Sequence, residues 1–238
     1  MVNINYLDIK QKLSDKLFET GWSFVEGYLF SDEFQNTLEY LVNDVNNGNR
    51  FTPKIKNIRK PFEECHFDKT KVVVIGQDPY PNIIFKNNKG YNAADGLAFS
   101  CSITKQEQSS LSKIFDVLQK NNPDYERDPD LARWANQGVL LINTALTTKV
   151  NNVGAHYHIW KNFIVELIKY IDTSMDNVLF VFMGRKAEKF AQLLVNQKHI
   201  YCPHPASAAY NNSEWNCNDL FNNINNKLKK FNKDAIIW

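Results

Sequence analysis

The chain has 238 residues, 43% of them hydrophobic and 23% charged, and a formal net charge of +2 at pH 7. That is long enough to bury roughly 70–75% of the unfolded surface in one sizeable core, and the composition excludes collagen, coiled coil and extended disorder. The near balance of 28 basic against 26 acidic residues carries no overall sign of a nucleic-acid binder, which is usually plainly basic.

The chain opens without a charged-then-apolar signal sequence, and Met1 to Lys16 is polar with helical character. Asp8 to Thr20 and Asp32 to Asn46 have the spacing of amphipathic helices; in the second, Leu38, Leu41, Val42 and Val45 are placed on one face. Arg50 to Lys60 holds five cations and no acid, the pattern of a solvated loop. Lys71 to Ile75 is a β-branched run stopped at Gly76, the type of a buried parallel strand. Helices are predicted over Gln106 to Lys120 and Asp128 to Asn136, then a short strand over Val139 to Ile142. A strong helix covers His158 to Ile171, a strand Val178 to Met183 and a helix Arg185 to Asn196. A fourth strand covers His199 to Cys202, and a last helix runs from Asn216 to Phe231.

Strands alternating with helices imply an α/β protein, a three-layer α/β/α single domain around a central four-stranded parallel sheet. No repeat or linker divides residues 1–238, although 1–50 reads as a helical N-terminal segment. Apolar runs reach only about 6–7 residues, too short for a membrane span. Cys65, Cys101, Cys202 and Cys217 are scattered without a CxxC, so no metal or iron–sulfur site is expected, and four idle thiols in a reducing cytoplasm are.

Ligands of open parallel sheets bind off the carboxyl ends of the strands. That rule selects four segments: Gly76 to Pro81, Asn143 to Thr147, Gly184-Arg185 and Pro203 to Tyr210. They bring a carboxylate (Asp78), an amide (Asn143) and an imidazole (His204) to one sheet edge. Each alone is an ordinary turn or cap residue; their convergence marks a site. No P-loop, GxGxxG or GxSxG accompanies them, which removes the nucleotide-cofactor and serine-hydrolase readings.

At these residues the sequence resembles family 1 uracil-DNA glycosylases. Lys71 to Tyr80 is similar to that family's water-activating motif, Gly96-Leu97-Ala98-Phe99-Ser100 to its base-stacking motif, and Trp134 to Thr147 to its uracil-recognition strand. His204-Pro205 followed by Cys217, and the terminal Ile236-Ile237-Trp238, extend the likeness over residues 51–238. The resemblance implies hydrolysis of the N-glycosidic bond of a flipped-out deoxyuridine, with no cofactor, to start base-excision repair. It implies that Asp78 activates water and His204 holds uracil O2. Phe99 stacks on the base, Tyr80 excludes the thymine methyl, Asn143 reads N3–H and O4, and the backbone of Gln77 adds a contact. Asn143 favours uracil because cytosine reverses both partners.

Expected DNA contacts are Ser110, Gly184, Arg185, Ala206, Ala208 and Tyr210. Several depart from the family. Pro81 stands where most members have histidine, Ala206 where they have serine, Ala208 where a leucine wedge stands, and Arg185 where a Gly-Ser clamp has serine. Tyr210 is the expected substitute, by stacking. The stretch Asn82 to Ala94, with Lys86 and Lys89, is longer than the family's and reads as a solvated loop, with an added DNA contact or partner surface as the alternative.

The implied partners are uracil-containing DNA, single- or double-stranded, and a proteinaceous inhibitor. The implied state is a monomer in the cytoplasm, at the nucleoid, or in a host cytoplasm or nucleus if viral. The alternative is a replication-associated DNA-binding scaffold with secondary catalysis, as in poxviral relatives.

Overall fold

The computed structural model describes residues 5–15 and 17–238. Three helices come first: α1 (Tyr6–Ser14), α2 (Ser23–Leu29) and α3 (Asp32–Asn46). They are followed by β1 (Phe51–Thr52), α4 (Lys60–Glu64), β2 (Val72–Gly76), β3 (Ile83–Lys86) and β4 (Lys89–Asn92). Next come α5 (Ser109–Asn121), α6 (Ala132–Ala135), β5 (Val139–Asn143), β6 (Thr148–Lys149) and α7 (Tyr157–Ser174). The chain ends with β7 (Leu179–Met183), α8 (Arg185–Glu188), β8 (Lys198–Cys202), α9 (Pro205–Tyr210) and α10 (Leu220–Lys230).

The central sheet has the order β5-β2-β7-β8 and all its pairings are parallel. Every residue of β2, β5 and β7 is buried, so both faces of these strands are covered and the expected α/β/α layering holds. Only β8, the edge strand, is partly exposed. The N-terminal helices share this core: Trp22 is fully buried, its ring 5.2 Å from that of Phe62, and its indole N–H donates to Cys65 O at 2.7 Å.

Several expectations are corrected. The helix expected over Asp8 to Thr20 divides into α1 and a 3₁₀ turn at Phe18–Thr20; Lys16 and residues 1–4 lie outside the described residues. On α3 the buried stripe ends at Asp44, not Val45, which is 49% exposed. Asp44 can be buried because Lys149 (2.6 Å) and His156 (3.3 Å) meet its two oxygens. The helix expected over Arg185 to Asn196 stops at Glu188, and a 3₁₀ turn follows at Ala191–Leu193. Beyond it, Asp172 captures the amides of Val195, Asn196 and Gln197 at 2.9–3.1 Å, offering the backbone a better partner than a helical turn. Finally, Cys202 and Cys217 are joined in a disulfide, so only Cys65 and Cys101 are free thiols. The fold carries the end of β8 and the approach to α10 to within 6.2 Å between Cα atoms, a proximity that sequence separation does not reveal.

The helix expected over Asp128 to Asn136 is likewise reduced to α6, because the carboxylates of Asp128 and Asp130 accept from the amides of Asp130 and Ala132 and form turns instead. The Asn82 to Ala94 stretch is a β-hairpin, β3 with β4, rather than a loop.

Candidate active site

Strand register builds the site. Gly76 lies beside Asn143 at the ends of β2 and β5, and Met183 lies beside Cys202 at the ends of β7 and β8. The segments that follow therefore emerge together. A cavity of about 330 Å³ opens there, and Gln77, Asp78, Tyr80, Phe99 and His204 lie on its wall. Ser110, Ala206 and Tyr210 line its rim. A larger hollow of about 580 Å³ lies at the opposite edge of the sheet, beside Lys71 and Lys233, and holds none of the expected site residues.

Asn143 sits behind the wall, 4% exposed. A Cβ built on Gly76 would stand 2.4 Å from Asn143 Oδ1 and 3.1 Å from Phe99 Cζ. Only glycine lets the amide and the ring converge there. Thr144, the next residue, donates its hydroxyl to Gln77 O at 2.7 Å and ties the two strand ends together.

Phe99 has a left-handed φ of +67°, a conformation that costs about 1–3 kcal/mol and persists only where its surroundings over-determine it. Asp95 supplies that determination. This 1% exposed carboxylate accepts from the Leu97 amide (3.1 Å), the Ser100 hydroxyl (2.7 Å), the Ser102 amide (3.1 Å), the Ser102 hydroxyl and the Lys60 ammonium (2.8 Å). Tyr80 Oη–H adds a bond to Phe99 O at 3.0 Å. Sequence reading missed Asp95: its only signal is an acid directly before the stacking motif.

Asp78 is held differently. Gln77 Nε2 donates to its Oδ2 at 2.8 Å, while buried Oδ1 has no hydrogen-bond partner. Burial raises its pKa, opposed by the Gln77 amide, the Lys186 ammonium and the Gly154 backbone.

His204 caps α9, its Nδ1 accepting from the Ala206 amide at 3.2 Å, with Pro205 at the first helical position. That bond assigns the proton to Nε2. Burial lowers the pKa of the imidazole to about 4, so it is neutral at physiological pH. Its ring lies 5.7 Å from that of Phe99. Gly184, with φ +96°, packs against it; a Cβ there would come 2.8 Å from His204 Cβ.

The remaining expected contacts separate. Arg185 and Lys186 are exposed on α8, off the cavity wall. Tyr210 is 89% exposed. Ala208 is not presented at the mouth: α9 turns it inward, 5% exposed, into the core.

Residues 62–229 match the model of the family described as "Uracil DNA glycosylase superfamily". A uracil-DNA glycosylase of Christiangramia forsetii is 32% identical over 209 residues, covering 86% of this chain and 90% of that protein. Mimivirus uracil-DNA glycosylase superposes with a TM-score of 0.81 at 27% identity, over 99% of this chain and 89% of the other. A variant of the mimivirus protein in complex with UGI gives 0.82 at 27% identity, over 99% and 91%.

Proposed function

Because this chain belongs to the uracil-DNA glycosylase superfamily, we propose that its cavity hydrolyses the N-glycosidic bond of deoxyuridine in DNA, leaving an abasic site. The observation that carries the reading is the pairing, on one cavity wall, of a half-buried carboxylate that has a buried, unpartnered oxygen and a neutral imidazole with a free N–H.

Uracil, flipped from the stack, lies against the Phe99 ring. The Asn143 amide accepts from N3–H and donates to O4; cytosine would leave both groups unpaired in a buried place. Tyr80 stands beside C5, and its bond to Phe99 O holds it there against a thymine methyl. Asp78 Oδ1 accepts a hydrogen bond from the attacking water and then its proton as the sugar becomes cationic. His204 Nε2–H donates to O2 as the base departs with negative charge; a neutral donor is matched to that task because it need not be deprotonated first. Arg185, Lys186 and the Ser110 hydroxyl hold phosphates around the mouth. Tyr210 replaces the buried Ala208 as the wedge that fills the emptied stack. The protein acts as a monomer, and the mimivirus complex supports an inhibitor of the UGI kind as a partner.

Release of free uracil from a deoxyuridine-containing oligonucleotide, with EDTA present, tests the reading. Release that Asp78→Asn slows by about 10²–10⁴-fold is expected. DNA binding without any release would favour a replication-associated scaffold instead.

A further inference from the structure

The hairpin β3–β4 takes no part in the chemistry above, yet it is built with care. It is turned by Asn87 and Asn88, both left-handed (φ 49° and 60°), the two-residue turn whose twist matches a hairpin. Its base is fixed to the cavity rim. Asn82, on the cavity wall, accepts the Ala93 amide at 3.0 Å and donates its side chain to Gln108 at 3.3 Å. Lys86 Nζ donates to Thr104 O, four residues before Gln108. The hairpin is thus an extension of the cavity mouth and not a tethered flap.

Its surface has one chemistry. From Pro79 to Ala94 there is no acidic residue. Lys89 is exposed and lies 5.5 Å from the centre of the Tyr91 ring. Phe85 pairs across the hairpin with Gly90, where a Cβ would stand 3.3 Å from its ring, so the ring lies on the bare strand opposite. Phe85 nevertheless remains 72% exposed. An aromatic ring held on one face of the hairpin yet open to water, and a lysine on the other face with no acidic neighbour in the hairpin, are groups of the kind that bind unstacked bases and their phosphates.

We propose that the hairpin is a second DNA-contact surface. Phe85 stacks on a base of the strand that leaves the cavity, and Lys89, on the other face of the hairpin, neutralises a phosphate where that strand passes the turn. The proposal rests on the glycosylase reading for the strand's path, and it commits to single-stranded DNA as the occupant, continuous with the flipped nucleotide. Lys86 is the anchor, its ammonium already committed to the Thr104 carbonyl.

The test is binding of the full chain to an undamaged single strand of about 20 nucleotides, by fluorescence anisotropy over a series of salt concentrations. Phe85→Ala is expected to weaken binding about fivefold or more. Lys89→Ala is expected to lower the slope of log affinity against log salt by about 0.7, one phosphate's worth on a single strand. Lys89→Glu, a surface change that leaves the turn intact, should weaken binding further than Lys89→Ala. Uracil release from a strand of about 5 nucleotides, too short to reach the hairpin, should be unchanged in all three. Parental affinity and parental salt slope in the variants would overturn the proposal, and would leave the hairpin as a surface for a protein. Loss of uracil release in the parent itself would overturn the glycosylase reading alone, because the anisotropy measurement does not depend on turnover.

Discussion

Two carboxylates shape the cavity, Asp95 fully buried and Asp78 half-buried, and they are treated in opposite ways. Asp95 is saturated: five donors from Lys60, Leu97, Ser100 and Ser102 converge on it. Asp78 has one donor, the Gln77 amide, and an oxygen left bare. Saturation makes a carboxylate a fastener, since its charge is compensated and every bond opposes movement. Incomplete saturation makes it reactive, because the cost of burying the charge shows up as a raised pKa and as room for a water. The first holds Phe99 in a strained conformation; in the proposed reaction, the second acts on the base that lies against it.

Replacement of each separates the roles. Asp78→Asn should lower kcat for uracil release by about 10²–10⁴-fold, the usual contribution of a general base, with stability in urea equal to or above the parent's. A large loss of stability would show that Asp78 is a fastener too. Asp95→Asn should cost about 2–4 kcal/mol in urea melts, because Lys60 and the Ser100–Ser102 donors lose their charged acceptor. Its kcat should fall as the Phe99 turn relaxes. Parental stability and rate would dissolve the contrast.

The pH profile sharpens it. Only ionised Asp78 accepts the water's proton, so kcat/KM should rise with pH through the pKa of Asp78. Burial places that midpoint above the ordinary aspartate value of about 3.9. His204, at about 4, is already neutral over the pH range above that and adds no limb near neutrality. The limb should be missing from the residual activity of Asp78→Asn; a limb at an unshifted midpoint would mean that the carboxylate is solvated. The smallest effect is expected at the exposed rim. Tyr210→Ala should slow release from duplex DNA about fivefold and leave single-stranded release unchanged, since stacking replaces a lost neighbour only where a stack exists. Equal effects on both substrates would make Tyr210 a general DNA contact.

Much of this was legible before folding. The β-branched runs ending at Gly76 and at Asn143, and the alternation of strand and helix, carry the sheet and the edge at which ligands bind. Asp78, Phe99, Asn143 and His204 stand inside ordered motifs with a chemical reason for each. Other features had no local sign. Asp95 is one acid among many in the sequence, and its importance comes from donors that lie up to 35 positions away. Val45 and Asp44 flank the same helical stripe, and which one is buried depended on Lys149 and His156, at the distant end of β6 and just before α7. Ala208 and Tyr210 are two positions apart on one short helix; only the packing of α9 shows that one is in the core and the other in solvent.

The sequence alone determined the layout: a parallel sheet, its ligand edge, and the residue types able to activate water, read a pyrimidine edge and stabilise a departing anion. These are properties of periodicity and of functional groups, which each residue carries wherever it is placed. Tertiary structure decided the rest. It bonded Cys202 to Cys217, made a rim-anchored hairpin of a stretch read as a loop, left one oxygen of Asp78 without a partner and filled every place around Asp95. Burial and hydrogen-bond saturation depend on which distant groups arrive at a point, and only the folded chain brings them there.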